Sequence, residues 1–274
     1  MPKRASKPKS TVPRTRTPPA QQVLRTTLRP SAILHDHVNH KLFIFTEDML
    51  VNQLRREGPK IESSFDRLCS EDLAEISRLL SKSSSLLFSG SRIAATRDDS
   101  LQLSCAKLLL NASHSFGAAT ALLRMGYLLQ PGIIIRSMLE SISTVLHLIQ
   151  RPDDLKKFQS VNLPSPSTIA LAKKAIPNFG QLYGYFSESF AHIGHLHHSL
   201  DKHGEYSERH NGLETNLSFL RLTSWLLYVT TELLFNDLLD EPRYWKVEPN
   251  GYRYDPSDTE REWMHKYLHG SDDA

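Results

Sequence analysis

Through most of the chain, apolar side chains recur every three or four positions, the period of a helix that turns one face to a core. The clearest case is 131–150, where Ile135, Leu139, Ile142, Leu146 and Ile149 form a seam. Pro131 suits the first turn of such a helix, where its missing N–H costs nothing. Beside the seam runs a second stripe, Arg136, Glu140, Ser143 and His147. Residues of this kind are seldom buried without partners. The remaining helices are expected to pack around this one. Cys105, Leu108, Leu109, Ala112, Phe116, Ala119 and Leu123 mark a helix over about 100–129, and the corner at Gln130-Pro131 folds it back on 131–150 as an antiparallel pair. Leu73, Ile76, Leu79 and Leu80 carry the apolar face of a helix over about 61–88, with a break near Ser70. Phe179, Leu182, Tyr183, Phe186, Phe190 and Ile193 place another after Pro177. Leu213, Leu217, Leu220, Leu227, Leu234 and Leu238 place a long one over 213–239, which Pro242 ends.

Shorter features fill the gaps. Lys41-Leu42-Phe43-Ile44-Phe45 reads as an isolated strand or as a loop packed on the helices. Thr46-Glu47-Asp48 opens a helix that Gly58-Pro59 stops. Asp153–Gln159 is a short helix, and Ser167 caps another reaching Ile176. Residues 89–99 and 199–212 read as polar connections, and 257–268 as a last short helix. There is no internal repeat, no convincing alternating strand and no glycine-rich phosphate loop. The expected fold is all-α, an up-and-down helical bundle. Its expected divisions are a disordered basic tail (1–30), an N-terminal helical extension (31–99), the bundle (100–240) and a C-terminal aromatic and basic strap with a short helix (241–274).

Charge changes this picture at one end. The chain of 274 residues carries a formal +3, but the first 30 residues hold eight basic side chains and no acidic one. The rest has 25 basic against 30 acidic side chains, about −5 by the same counting. The sequence pI of 8.8 therefore describes the tail. A basic arm can touch nucleic acid, although this one has no aromatic residue for base stacking. The two cysteines, Cys69 and Cys105, sit in helical sequence without a CxxC partner, which fits a reducing cytoplasm. No apolar h-region follows the basic start, and the apolar stretch Phe219–Phe235 is interrupted by Arg221 and Glu232. The expectation is a cytoplasmic chain without a membrane span.

Three groups of residues can carry chemistry. Arg136 and Glu140, at i and i+4, share a helix face, either as a phosphate- or carboxylate-binding site or as an ion pair that pins packing. In Tyr183–His198, the residues Tyr185, Glu188, His192 and His195 are expected to share a stripe, where a carboxylate can orient an imidazole as base. Six histidines fall between 192 and 210, but their spacing matches no HExxH pattern, so neither a metal nor a cofactor is expected. Finally, Arg243-Tyr244-Trp245-Lys246 and Tyr252-Arg253-Tyr254 interleave basic and aromatic side chains. They can stack on a single strand of nucleic acid, or form a strap whose rings pack on the bundle.

The segment Leu128–Ile149, above all Ile135-Arg136-Ser137-Met138-Leu139-Glu140-Ser141, and the later Tyr183-Gly184-Tyr185-Phe186-Ser187-Glu188-Ser189-Phe190-Ala191-His192 resemble the motifs of a bacterial helical family related to the HEPN superfamily. In that pattern an "aRsllE" helix is followed by Y-x-x-x-S-x-x-x-x-H. The resemblance covers about 100–240. It implies an up-and-down bundle, a homodimer, and kinship with ribonucleases of defence and stress systems as well as with non-catalytic binding modules. One departure matters: the ribonuclease motif, Arg followed after four to six residues by His on one helix, occurs only from Arg29 to His35, across Pro30. What carries over is Arg136, Glu140, Ser187 and His192 as a polar cluster between two helices, with Tyr183 and His147 as further binding residues. In it Arg136 would hold a phosphate, Glu140 would orient it or act as a base, and His192 would move a proton. The expected activity is binding of RNA or of a partner protein, with ribonuclease action unresolved. The alternatives are a structural interaction module or an enzyme acting on a small phosphorylated substrate.

Overall fold

The computed structural model describes residues 29–200, 203–249 and 251–268, so the expected disordered tail lies outside the described residues as far as position 28, while Pro30 already belongs to a strand. The chain divides into two compact units, Met1–Asn52 and Gln53–Ala274.

In the first unit the apolar run is the second strand of a β-hairpin. β1 (Pro30–Asp36) pairs antiparallel with β2 (Lys41–Thr46), with Ile33 opposite Ile44 and Leu34 opposite Phe43. Asp36 organises the turn. One carboxylate oxygen accepts the backbone N–H groups of Val38 (3.0 Å) and Asn39 (3.1 Å), and the other accepts the Asn39 side chain at 2.8 Å. A hairpin therefore stands where a helical extension was expected. The single turn α1 (Met49–Asn52) follows it.

The second unit is mostly helical. After a π-helical turn, Gln53–Glu57, the helix α2 (Gly58–Thr96) runs 39 residues without a break. Two expectations are corrected here. Gly58-Pro59 does not stop a helix but starts one, since proline is tolerated in a first turn. Nor does the helix end at 88: at Gly90 a Cβ would lie 2.5 Å from the ring of Phe235, so the glycine is where another segment packs against α2, not where α2 ends. Because α2 packs on α3 (Ser100–Arg124) and α9 (Asn211–Leu234), it belongs to the body and is not part of an extension. The Asp99 carboxylate caps α3 by accepting the Gln102 N–H at 2.9 Å.

The central helix is α4 (Gln130–Gln150), against which α3, α6 (Ser165–Ala175) and α9 all pack. Of the predicted seam, Ile135, Leu139, Ile142 and Leu146 are fully buried and Ile149 is half-buried. Among the described residues α4 is the one helix long and apolar enough to cross a membrane, and in this fold it is a core helix. The helix α5 (Leu155–Gln159) follows it after a 3-10 turn, Pro152–Asp154. The segment after Pro177 departs from the expected single helix: α7 (Phe179–Phe186) passes into a π-helical turn, Ser187–Ala191, and His192 is already extended before α8 (His195–Ser199). Past α9, the chain forms the small hairpin β3 (Trp245–Glu248) and β4 (Gly251–Tyr254), then α10 (Asp258–Tyr267).

That C-terminal segment is a strap. Tyr244 is fully buried, and its hydroxyl donates to Glu260 Oε2 at 2.9 Å. Trp245 Nε1 donates to the Val229 carbonyl at 2.8 Å, and the Tyr244 N–H donates to the buried Glu232 carboxylate at 2.6 Å. Burying such rings outweighs what they could gain as exposed stacking platforms.

Candidate functional site

α4 and α7 bring three of the predicted residues together. Arg136 Nη2 lies 3.2 Å from Glu140 Oε1 and donates to the Tyr183 hydroxyl at 3.2 Å. That hydroxyl donates to the same Glu140 oxygen at 3.0 Å, which closes a triangle. The guanidinium also lies over the Tyr183 ring, 5.5 Å from its centroid. Partial burial, and then the hydrogen bond to Glu140, push the Tyr183 hydroxyl pKa up, so the phenol stays protonated and acts as a donor. Arg136 and Glu140 are about 30 % exposed, while Arg136 Nε is buried without a partner. This geometry is a packing pin between α4 and α7 with one side open to solvent.

The other predicted residues do not join it. Ser187 lies in the π turn and makes no hydrogen bond through its side chain among the described residues. His192 is exposed and makes no hydrogen bond or ion pair among them either. The expected stripe of Tyr185, Glu188, His192 and His195 is absent because the helix ends at Ala191, so i+4 spacing no longer places side chains on one face. His147 belongs to a different cluster about three turns along α4. It is buried, and its Nε2 lies 2.8 Å from Asp154 Oδ2. Asp154 Oδ1 takes the Lys157 ammonium at 2.6 Å, and that lysine, followed by His147, holds the carboxyl below its ordinary range. The reading of Arg136, Glu140, Ser187 and His192 as one catalytic cluster is thereby corrected to a triangle of Arg136, Glu140 and Tyr183. Among the described residues no group of three histidine, cysteine or acidic side chains is placed to hold a metal ion.

A second polar cluster was not anticipated. On α2, Asp72 and Glu75 are buried. Arg221 on α9 pairs with Asp72 and, at 3.0 Å, with Glu75. Arg209 reaches Asp72 at 2.8 Å and also pairs with Glu214. This cluster ties α2 to α9 and leaves neither arginine free.

Free cations appear along α6. Three adjoining hollows meet at Lys174, which lines all of them; Gln150 is common to two and Ala170 to another two. Tyr183 borders the hollow at one end, and Tyr252, 43 % exposed, borders the one at the other. Lys173, Lys174 and Arg151 line the run between them, all exposed and without a carboxylate partner among the described residues. The stem of Lys173 lies against Gly180, where a Cβ would stand 2.7 Å from it, so the side chain follows a defined path. The sequence held a signal for this surface: no acidic residue occurs between Asp154 and Glu188. In comparisons with known proteins, the chain matches no family model, no curated protein and no solved structure.

Proposed function

We propose that the protein is a cytosolic, HEPN-like helical protein that binds single-stranded nucleic acid through the groove along α6. The observation that carries this reading is the groove itself: three unpaired cations in a row, bounded by two tyrosines, beside a segment, 155–187, that lacks acidic residues, while Glu248 at the Tyr252 end is paired with Arg253. A positively charged track that follows the phosphates, combined with aromatic faces for the bases, is the general solution for binding a single strand. Elsewhere on the body most arginines are neutralised by carboxylates, as Arg209 and Arg221 are, so an anion gains less there. The triangle of Arg136, Glu140 and Tyr183 supports the HEPN-like reading, because it joins the two segments that carry the resemblance. Two free, buried cysteines support a reducing compartment.

This reading is one of binding rather than cleavage. Arg136 is committed to Glu140 and Tyr183, and His192, the candidate base, has no orienting partner. Photo-crosslinking a labelled single-stranded RNA to the full chain, followed by peptide mapping, tests the proposal. Cross-links at Tyr252 and within 165–183, on RNA that stays intact, are expected. Cross-links confined to other surfaces would refute the groove, and fragmentation abolished by His192→Ala would restore the ribonuclease reading.

A further inference from the structure

The hairpin of the first unit is apolar on both faces. Ile33, Leu42 and Ile44 point to one side, and Leu34, Phe43 and Phe45 to the other, and all six are 42–62 % exposed. Alternating polar and apolar positions are the mark of a strand with one wet face; strands apolar on both sides belong inside a larger sheet. A two-stranded hairpin is also marginal by itself. Its two edges differ. β1 begins at Pro30, which lacks an N–H, and its pairing is irregular between Pro30 and Ala32. β2 has neither a proline nor a bulge.

We infer that the β2 edge pairs with β2 of a second copy of this chain to make a four-stranded antiparallel sheet. A two-fold axis perpendicular to the sheet at Ile44 sets Ile44 opposite its own copy and Phe43 opposite Phe45, twice. Aromatic cross-strand pairs of this kind stabilise a sheet. The same register sets Lys41 opposite Glu47, also twice. Both side chains are exposed, and neither has an ion-pair partner among the described residues. Strand, charge and aromatic pattern thus complement themselves in one register, which is the requirement for an isologous contact. A one-residue slip to an axis at Phe43 would set Lys41 opposite Phe45 and lose both ion pairs.

This inference is independent of the nucleic-acid reading, and its test uses no nucleic acid. Sedimentation velocity of the full chain should show a dimer. Lys41→Glu and Glu47→Lys should each raise its dissociation constant by roughly tenfold or more, and the double exchange should restore it. Circular dichroism checks that each variant keeps its helical body. Ile44→Cys, on the axis, should form a disulfide-linked dimer when diamide takes up the two electrons, whereas the unaltered chain, whose cysteines are buried, should not. A monomer at every concentration, or a dimer indifferent to the charge exchanges, would overturn the inference. A monomer that instead binds vesicles of anionic phospholipid and loses that binding with Phe43→Ser would overturn it in favour of a lipid surface.

Discussion

The ring of Phe190 occupies the space beside Gly132: a Cβ on that glycine would lie 2.2 Å from the ring. Through this contact the π turn that follows α7 seats on the first turns of α4, where Phe190 also stacks on Phe186 with centroids 5.3 Å apart. The position of Tyr183 against Arg136 depends on how this segment docks.

Gly132→Ala therefore forces the ring or the helix to move, and overpacking of this kind costs roughly 1–3 kcal/mol. Gly117→Ala, on the exposed face of α3 with nothing within 4 Å, should do the opposite and gain about 0.5–1 kcal/mol, because alanine is the better helix former. Urea denaturation of the two variants against the parent chain measures the contrast.

Arg221 and Arg209 both bind Asp72, yet they should not be equivalent. Arg221 also neutralises Glu75 and is 15 % exposed, whereas Arg209 is 37 % exposed and shares its charge with Glu214 near solvent. Arg221→Ala strands the buried Glu75 and leaves Asp72 with Arg209 alone, and it should cost roughly 3–5 kcal/mol, the range for breaking a buried pair on one side. Arg209→Ala should cost clearly less. Denaturation midpoints at neutral pH decide between them, and equal losses would contradict this assignment.

Glu232 sets a pH dependence. Burial raises its carboxyl pKa above the ordinary glutamate value of 4.5, with Glu260 as a further cause in the same direction, against the lowering effect of backbone N–H donors from Tyr244 and its neighbours. A carboxyl whose folded pKa is raised favours the protonated state. Its contribution to stability is complete below pH 4.5 and is lost as pH rises through the folded value. Glu232→Gln should remove that loss, flattening the stability profile above pH 4.5 relative to the parent chain. Thermal melts across a pH series measure the slope, and an unchanged slope would contradict the assignment.

Much of the helical body was legible in the sequence, because burial of one helix face writes a period into the chain. Four of the five seam residues, Ile135, Leu139, Ile142 and Leu146, are fully buried, but the corner lies earlier than expected: α3 ends at Arg124, residues 125–129 make the connection, and Gln130 and Pro131 already belong to α4. The connection expected over 89–99 was misplaced because its Gly90, which admits a neighbouring ring, looks in sequence like a glycine that ends a helix. The π turn at Ser187–Ala191 was hidden for a similar reason: one extra residue per turn leaves composition unchanged but rotates every later side chain, which separated His192 from its expected stripe. The hairpin at 30–46 was half legible, since the apolar run of β2 stood out while β1 contains His35 and Asp36. Of the candidate site, Arg136 and Glu140 were visible from i+4 spacing. Their contact with Tyr183 depends on tertiary packing, which spacing does not encode. The unpaired cations of the groove, Lys173 and Lys174 on α6 and Arg151 at the end of α4, come into view only when the pairing of the other charges is known.

The most direct test of the central claim is the salt dependence of single-strand binding, measured by fluorescence anisotropy with a short labelled RNA. The parent chain should bind with affinity that falls steeply as salt rises. In Arg151→Ala/Lys173→Ala/Lys174→Ala the slope of log K against log salt should shrink by roughly 2, since each phosphate contact on a single strand contributes about 0.7. The same slope and affinity in both proteins would contradict the assignment of the α6 groove, as would a parent chain that does not bind the strand at all.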